Sequence, residues 1–213
     1  MHLNIEFSCI FVEKPTATMS AKRLHNSLDP QNLSQLEDQA LVAAFQEANS
    51  KEHAFREILK RYHQTVYYHA RHLLVSHDDA DDAAQNTFVR IWENLDGFRG
   101  ESQLKSWIYR IATNEALNLL RKRKPNIDFD EAQPELADHL SEPTYMTEAV
   151  IEKQLQKALC FLPFKQKLVF VMRYFEDLDY ETIAELTNTS VGALKSSYHH
   201  AVKKLEIYLK VLR

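Results

Sequence analysis

The sequence predicts an all-α protein, two small helical domains joined by a flexible acidic linker, and three observations predict it. Of the 213 residues, 45% are apolar and only three are glycine, which suits helices and leaves strands and tight turns little material. Apolar residues recur every three or four positions through most of the chain, the period of a helix with one buried face. A sharp change of charge then divides the chain: residues 99–124 carry seven Lys or Arg against two Glu, whereas residues 125–146 carry six Asp or Glu and neither Lys nor Arg.

Residues 1–36 are expected to be an unstructured extension. The apolar stretch Ile5 to Val12 is short, contains Glu6 and follows no cationic segment, so it makes a poor signal peptide. Met19, followed by Ser20-Ala21-Lys22-Arg23, is an alternative start. The first domain, residues 37–125, holds a stripe of Phe55, Ile58, Leu59, Tyr62, Val66, Ala70 and Leu73. A break at Ser76-His77-Asp78 precedes a second helix bearing Phe88, Ile91, Trp92 and Leu95. Its acidic start, Asp78 to Asp82, complements the helix dipole, and Gly97 suits its end. A third helix carries Leu104, Trp107, Ile108, Ile111, Ala112, Ala116, Leu119 and Leu120, then runs into Arg121-Lys122-Arg123-Lys124 before Pro125 stops it. The linker, residues 126–146, has no helical stripe, and the acidic stretch contains three prolines counting Pro125. The second domain, residues 147–213, opens on a face of Ile151, Leu155, Ala158, Leu159 and Leu162; Pro163 interrupts it, and Leu168 to Phe175 begins another helix.

The formal net charge of −4 excludes a uniformly basic nucleic-acid binder, so any DNA contact must come from locally concentrated Lys and Arg. Cys9 and Cys160 are far apart and form no CxxC pair, which fits a reducing cytoplasm and neither a disulfide framework nor a thiolate zinc site. No run approaches the roughly 20 apolar residues of a membrane helix. There is no phosphate-cradling glycine loop and no HExxH, so no catalytic residue, metal or cofactor is assigned. His69, His72 and His77 with Asp78 stand at spacings that can share a ligand sphere on a helix, but they make no complete set, and solvated or core histidines are the preferred reading.

Residues 179–205 read as a helix-turn-helix. A short helix runs from Asp179 through Ile183 and Leu186, a turn falls at Thr187-Asn188-Thr189, and a second helix starts after Ser190. Asn tolerates the left-handed conformation such a turn often needs, and Ser190 can cap the next helix. Val191, Leu194, Tyr198, Ala201, Val202 and Leu205 can pack inward, leaving Lys195, Ser196, Ser197, His199, Lys203 and Lys204 outside, a face that can enter a major groove. Periodicity alone fits a plain helical hairpin with a solvated lysine face equally well. Leu162-Pro163-Phe164-Lys165-Gln166-Lys167-Leu168-Val169-Phe170, Tyr180-Glu181-Thr182-Ile183-Ala184-Glu185-Leu186 and Ser190-Val191-Gly192-Ala193-Leu194-Lys195-Ser196 resemble, in order and spacing, region 4 of extracytoplasmic-function sigma factors, over Ala149 to Leu209. The resemblance implies recognition of the −35 promoter element by Ser190, Val191, Lys195, Ser196, Ser197, His199, His200 and Lys203. Ser197, His200 and Val202 stand where the family often has Arg, and Lys167 replaces another, which predicts weaker phosphate affinity and a flatter salt dependence.

Asp79-Ala80-Asp81-Asp82-Ala83-Ala84-Gln85-Asn86-Thr87-Phe88-Val89-Arg90-Ile91-Trp92 resembles the region 2.2 helix, with which this family clasps the polymerase β′ coiled coil. The resemblance implies that Asp79, Asp82, Gln85, Asn86 and Arg90 bind core polymerase; Phe88 and Ile91 are read as core. Phe98-Arg99-Gly100-Glu101-Ser102-Gln103-Leu104-Lys105-Ser106-Trp107-Ile108-Tyr109-Arg110-Ile111-Ala112-Thr113-Asn114 resembles regions 2.3 and 2.4, which melt the −10 element and hold its non-template strand. Holding an opened strand requires cations along the backbone and polar or aromatic groups that capture an unstacked base. Arg99, Lys105, Arg110, Arg121, Arg123 and Lys124 supply charge, with Ser102 beside them; Tyr109, Asn114 and Asn118 are the candidate base contacts, and Trp107 is read as core. In the family the linker threads toward the polymerase active centre, and the acids from Asp128 to Glu142 invite a reading as a mimic of a nucleic-acid backbone.

The resemblance therefore implies a bacterial, cytoplasmic, non-enzymatic factor whose partners are the β′ and β subunits of RNA polymerase core, promoter DNA and an anti-sigma factor, with no insertion into the membrane. Two other readings compete. A freestanding helix-turn-helix regulator would have no use for the Asp82 to Trp92 motif. A helical interaction protein without DNA contact would have no use for the basic block at 121–124.

Overall fold

The computed structural model describes residues 33–123 and 148–211, with backbone alone at Ser34, Arg123, 148–153 and Val211. The extension up to residue 32, with Cys9 and both candidate starts, lies outside the described residues, as does the linker with Lys124. All regular structure among the described residues is helical, as the composition predicts. It forms two compact units, divided after Ile58.

In the first unit a 3-10 turn, Leu33–Gln35, precedes helix α1, Asp38–Gln46, which buries Leu41, Val42, Ala44 and Phe45. The Ser50 hydroxyl donates to the Ala44 carbonyl at 2.7 Å, closing the turn into α2, Lys51–Leu74. Phe45 and Phe55 meet as tilted rings 6.1 Å apart, and the Lys51 ammonium lies 4.6 Å from the Phe45 ring centre.

The second unit takes α2 from Leu59 and every later helix: α3, His77–Asn94; a 3-10 turn, Leu95–Gly97; α4, Leu104–Arg123; α5, Glu148–Cys160; α6, Phe164–Tyr174; α7, Tyr180–Thr187; and α8, Val191–Val211. Local chemistry sets their ends. Ser76 accepts from the Asp79 N–H at the start of α3, a cap worth about 1 kcal/mol. Pro163 occupies the N-cap of α6, where a missing N–H costs nothing. Asp179 caps α7 by accepting from the Thr182 N–H at 2.6 Å. That bond holds the Asp179 carboxyl below the usual carboxylate range. Asn188 closes α7 in the left-handed region at φ 51°, and Ser190 accepts from the Ala193 N–H at 3.3 Å to start α8. Val75, after α2, is left-handed at φ 69° although β-branched, a strained conformation held because its side chain is buried.

The composition break does not separate two cores. Ala70, Leu73 and Leu74 of α2, Ala80 and Ala83 of α3, and Ala116, Leu117 and Leu120 of α4 share one apolar cluster with Phe164, Leu168, Val169, Val171 and Met172 of α6, Ile183 of α7 and Leu194 of α8. The alanines let helices approach closely; the larger residues fill what remains. A smaller cluster, Ala158, Leu159, Leu162, Phe170, Ala201 and Leu205, ties α5 and α6 to α8.

Candidate nucleic-acid interface

Helix α3 turns one side inward through Ala80, Ala83, Ala84, Phe88 and Ile91 and leaves the other open. Asp82 and Gln85 are exposed and Asn86 is half-buried. Asp79 does not join them: it is 4% exposed, because the first turn of α3 is folded into the protein. Arg90 is exposed, donates to Glu93 at 3.0 Å and lies 3.6 Å from Glu115 of α4. Val89 and Trp92, 50% and 38% exposed, continue the same open side, so an acidic and amide patch runs into an apolar end. Sequence reading passed over Val89, yet its place seven residues after Asp82 on one helix was the available signal.

On α4 and the turn before it, Arg99, Ser102, Asn118 and Arg121 are exposed, while Lys105, Arg110 and Asn114 are half-buried. The side chain of Arg123 lies outside the described residues. Tyr109 departs from its expected place as an open base contact. It is 2% exposed and lies against His69 with ring centres 5.1 Å apart, since its position on α4 faces α2 and not solvent. Burial first, then Glu176 and Tyr62, pushes its phenol well above the ordinary value, so it stays protonated. Arg110 donates to the Glu185 carbonyl of α7 at 3.4 Å. Trp107 is half-buried and tilted on Phe98 at 5.2 Å, so it is shared between core and surface where core alone was expected.

The face of α8 matches its helical spacing. Leu194, Ala201 and Leu205 are buried; Ser190, Lys195, Ser196, His199, His200 and Lys203 are exposed; Val191, Ser197 and Lys204 are half-buried. One feature escaped sequence reading. The Tyr180 ring lies 5.7 Å from the Arg173 guanidinium and 5.6 Å from the Lys195 ammonium, so three helices bring two cations to one aromatic ring. Arg173 is held there by Asp177 and the Leu178 carbonyl, each at 3.1 Å. No linear spacing announces such a cluster. The α8 face can therefore present donors and positive charge together, the requirement for a groove edge flanked by phosphates.

The three histidines go to separate partners. His69 pairs with Glu176 and, at 2.9 Å, with Thr113. His72 stacks on Phe175 at 3.9 Å, and burial, then His69 and Arg71, lowers its pKa to about 4. His77 meets Tyr67 at 2.7 Å.

Comparison with known proteins places these helix groups. The family model for sigma-70 region 2 matches residues 58–125, and that for sigma-70 region 4 matches residues 152–205. The chain is 32% identical over 182 residues to the ECF RNA polymerase sigma-E factor of Haemophilus influenzae, covering 81% of this chain and 95% of that one. It is 29% identical over 169 residues to the ECF RNA polymerase sigma factor SigW of Bacillus subtilis, covering 75% and 90%. Among solved structures, the sigma factor RpoE in complex with the anti-sigma factor NepR from Bartonella quintana superposes with a TM-score of 0.60 at 26% identity, over 75% of this chain and 98% of that one. CnrH, in complex with the cytosolic domain of CnrY, shares the fold at 23% identity, with a TM-score of 0.61 over 82% of this chain and 97% of that one.

Proposed function

We infer from one premise, that this chain belongs to the extracytoplasmic-function group of the sigma-70 family, how its helices divide the work. It is an RNA polymerase sigma factor, directing core polymerase to specific promoters and starting transcription there. A freestanding operator-binding regulator is not favoured, since the region 2 match over residues 58–125 has no counterpart in that reading.

Residues 37–125 act as region 2 and residues 147–213 as region 4, with 126–146 between them. Asp82, Gln85 and Asn86, with Arg90 and the apolar Val89 and Trp92 beyond, form the polymerase-binding side of α3. The cations and amides of α4, Lys105, Arg110, Asn114, Asn118 and Arg121, with Arg99 and Ser102 ahead of them, follow the opened −10 strand. Lys195, Ser196, His199, His200 and Lys203 of α8 enter the −35 major groove, with Ser190, Val191 and Ser197 at their edge. The single observation that carries this division is the open face of α8 behind a capped left-handed turn, a docking geometry for a recognition helix.

Binding free energy drives melting, and polymerase supplies the chemistry; the chain itself catalyses nothing. Its working place is the bacterial cytoplasm, and no described helix is long and apolar enough to cross a membrane. An anti-sigma factor is a partner, as NepR is for the sigma factor RpoE of Bartonella quintana. Run-off transcription with purified core polymerase on genomic fragments tests the whole. Start sites that need the protein and share −35 and −10 sequences are expected; absence of core binding and of new starts, with anti-sigma removed, overturns it.

A further inference from the structure

Two of the chain's ten histidines stand side by side on the open face of α8. His199 and His200 are both exposed, with ring centres 6.1 Å apart and planes tilted by 58°. Exposed Ser196 lies three and four positions before them, and exposed Lys203 four and three positions after. On a helix each therefore adjoins both rings. His69, His72 and His77 differ, being committed to partners within the chain.

The fixed charge around the pair is modest. On α8 itself Lys195 lies against the Tyr180 ring, Lys203 is exposed and Lys204 half-buried, with exposed Glu206 of opposite sign. Helices α5, α6 and α7 pack against α8. Among described side chains, α5 brings Lys157 and buried Cys160. Helix α6 brings exposed Lys165, buried Lys167, exposed Tyr174, and Arg173 paired with Asp177. Helix α7 brings Tyr180 and the exposed Glu181 and Glu185. The net charge of −4 counts every histidine as neutral.

Imidazole is the side chain whose ordinary titration falls near neutrality. A phosphate oxygen beside it favours the charged form, which donates from both ring nitrogens. We propose that His199 and His200 are proton-dependent phosphate contacts of the recognition helix, so that −35 binding tightens on mild acidification. The bound state then holds more protons than the free one, taken from solvent, so affinity rises as pH falls. Each imidazolium releases counterions as a lysine does, so the salt slope steepens together with the affinity.

The inference rests on the assignment of α8 to the −35 groove, and its test separates the two. Holoenzyme binding to a fluorescein-labelled duplex carrying the −35 sequence found by run-off transcription is measured by anisotropy at pH 6 and pH 8, across a salt series. The fold at both pH values is checked by circular dichroism. Wild type should bind about tenfold tighter at pH 6, with a salt slope steeper by about 0.9 for each histidine engaged. A His199→Gln, His200→Gln double variant should lose most of both differences, and His200→Arg should bind more tightly at pH 8 with a reduced pH dependence. A double variant that keeps the wild-type pH profile overturns the inference, as does a flat profile in wild type, the result expected if Glu181, Glu185 or Glu206 already held the rings charged in the free chain. Lys195→Ala and Lys203→Ala probe the assignment alone: unchanged binding by both would sink it, whereas weakened binding beside a flat wild-type profile leaves the assignment standing and the proton dependence refuted.

Discussion

Asn188 shows how much one side chain can settle. At φ 51° it stands where most side chains crowd the following carbonyl, and it brings the Thr189 N–H back to the Ala184 carbonyl at 3.2 Å. Asn188→Val should therefore lower stability by about 1–2 kcal/mol, whereas Asn188→Gly should change it little, as urea unfolding followed by circular dichroism would show. This position, with the Ser190 cap beside it, was legible because turn and cap chemistry is local. Tyr109 was not. Its place on α4 gives the helical period but not which neighbour each face meets, and His69 is forty residues distant. Asp79 was misplaced for a related reason: a carboxylate at a helix start satisfies the dipole whether or not that turn is folded inward.

At the scale of elements, the open side of α3 and the buried junction of α2 with the loop after α6 behave oppositely. On α3, replacing Val89 by Asp should weaken binding to core polymerase at least tenfold without altering thermal stability, because the side chain is half exposed in the free protein; fluorescence anisotropy against purified core would measure it. At the junction His72 is neutral when folded, its pKa lowered to about 4 from 6.5 by burial, with His69 and Arg71 adding repulsion. Above about pH 6.5 it is neutral in both states and carries no penalty. Between 6.5 and 4 the unfolded chain takes up a proton that the folded one refuses, so stability falls with pH by up to about 3 kcal/mol. His72→Gln should flatten that part of the stability curve, read from urea midpoints between pH 7 and pH 4. Helix positions were plain from the three- and four-residue spacing, and Pro163 marked its boundary. Which helices touch was not, since Gln156 and Arg71 are 85 positions apart.

The whole molecule carries a net charge of −4, so its DNA affinity depends on a few cations outweighing a negative field. Removing one phosphate-facing lysine should reduce the salt slope of promoter binding by about 0.9. Lys195→Ala and Lys203→Ala, titrated on −35 duplex in the holoenzyme, should each show that loss, while a lysine that serves only solubility would leave the slope intact. The all-α class and the two helix groups could be read from composition and charge. The shared apolar core could not, because a buried stripe does not name its partner. The ends of α2 have an evolutionary consequence as well. Gln156 and Lys167 donate to carbonyls, those of Arg71 and Leu73, that belong to a different sequence region, so the two regions are not freely interchangeable parts. Recombining either with the corresponding piece of a paralogue would preserve its recognition surfaces but break a fit that both halves must keep by changing together.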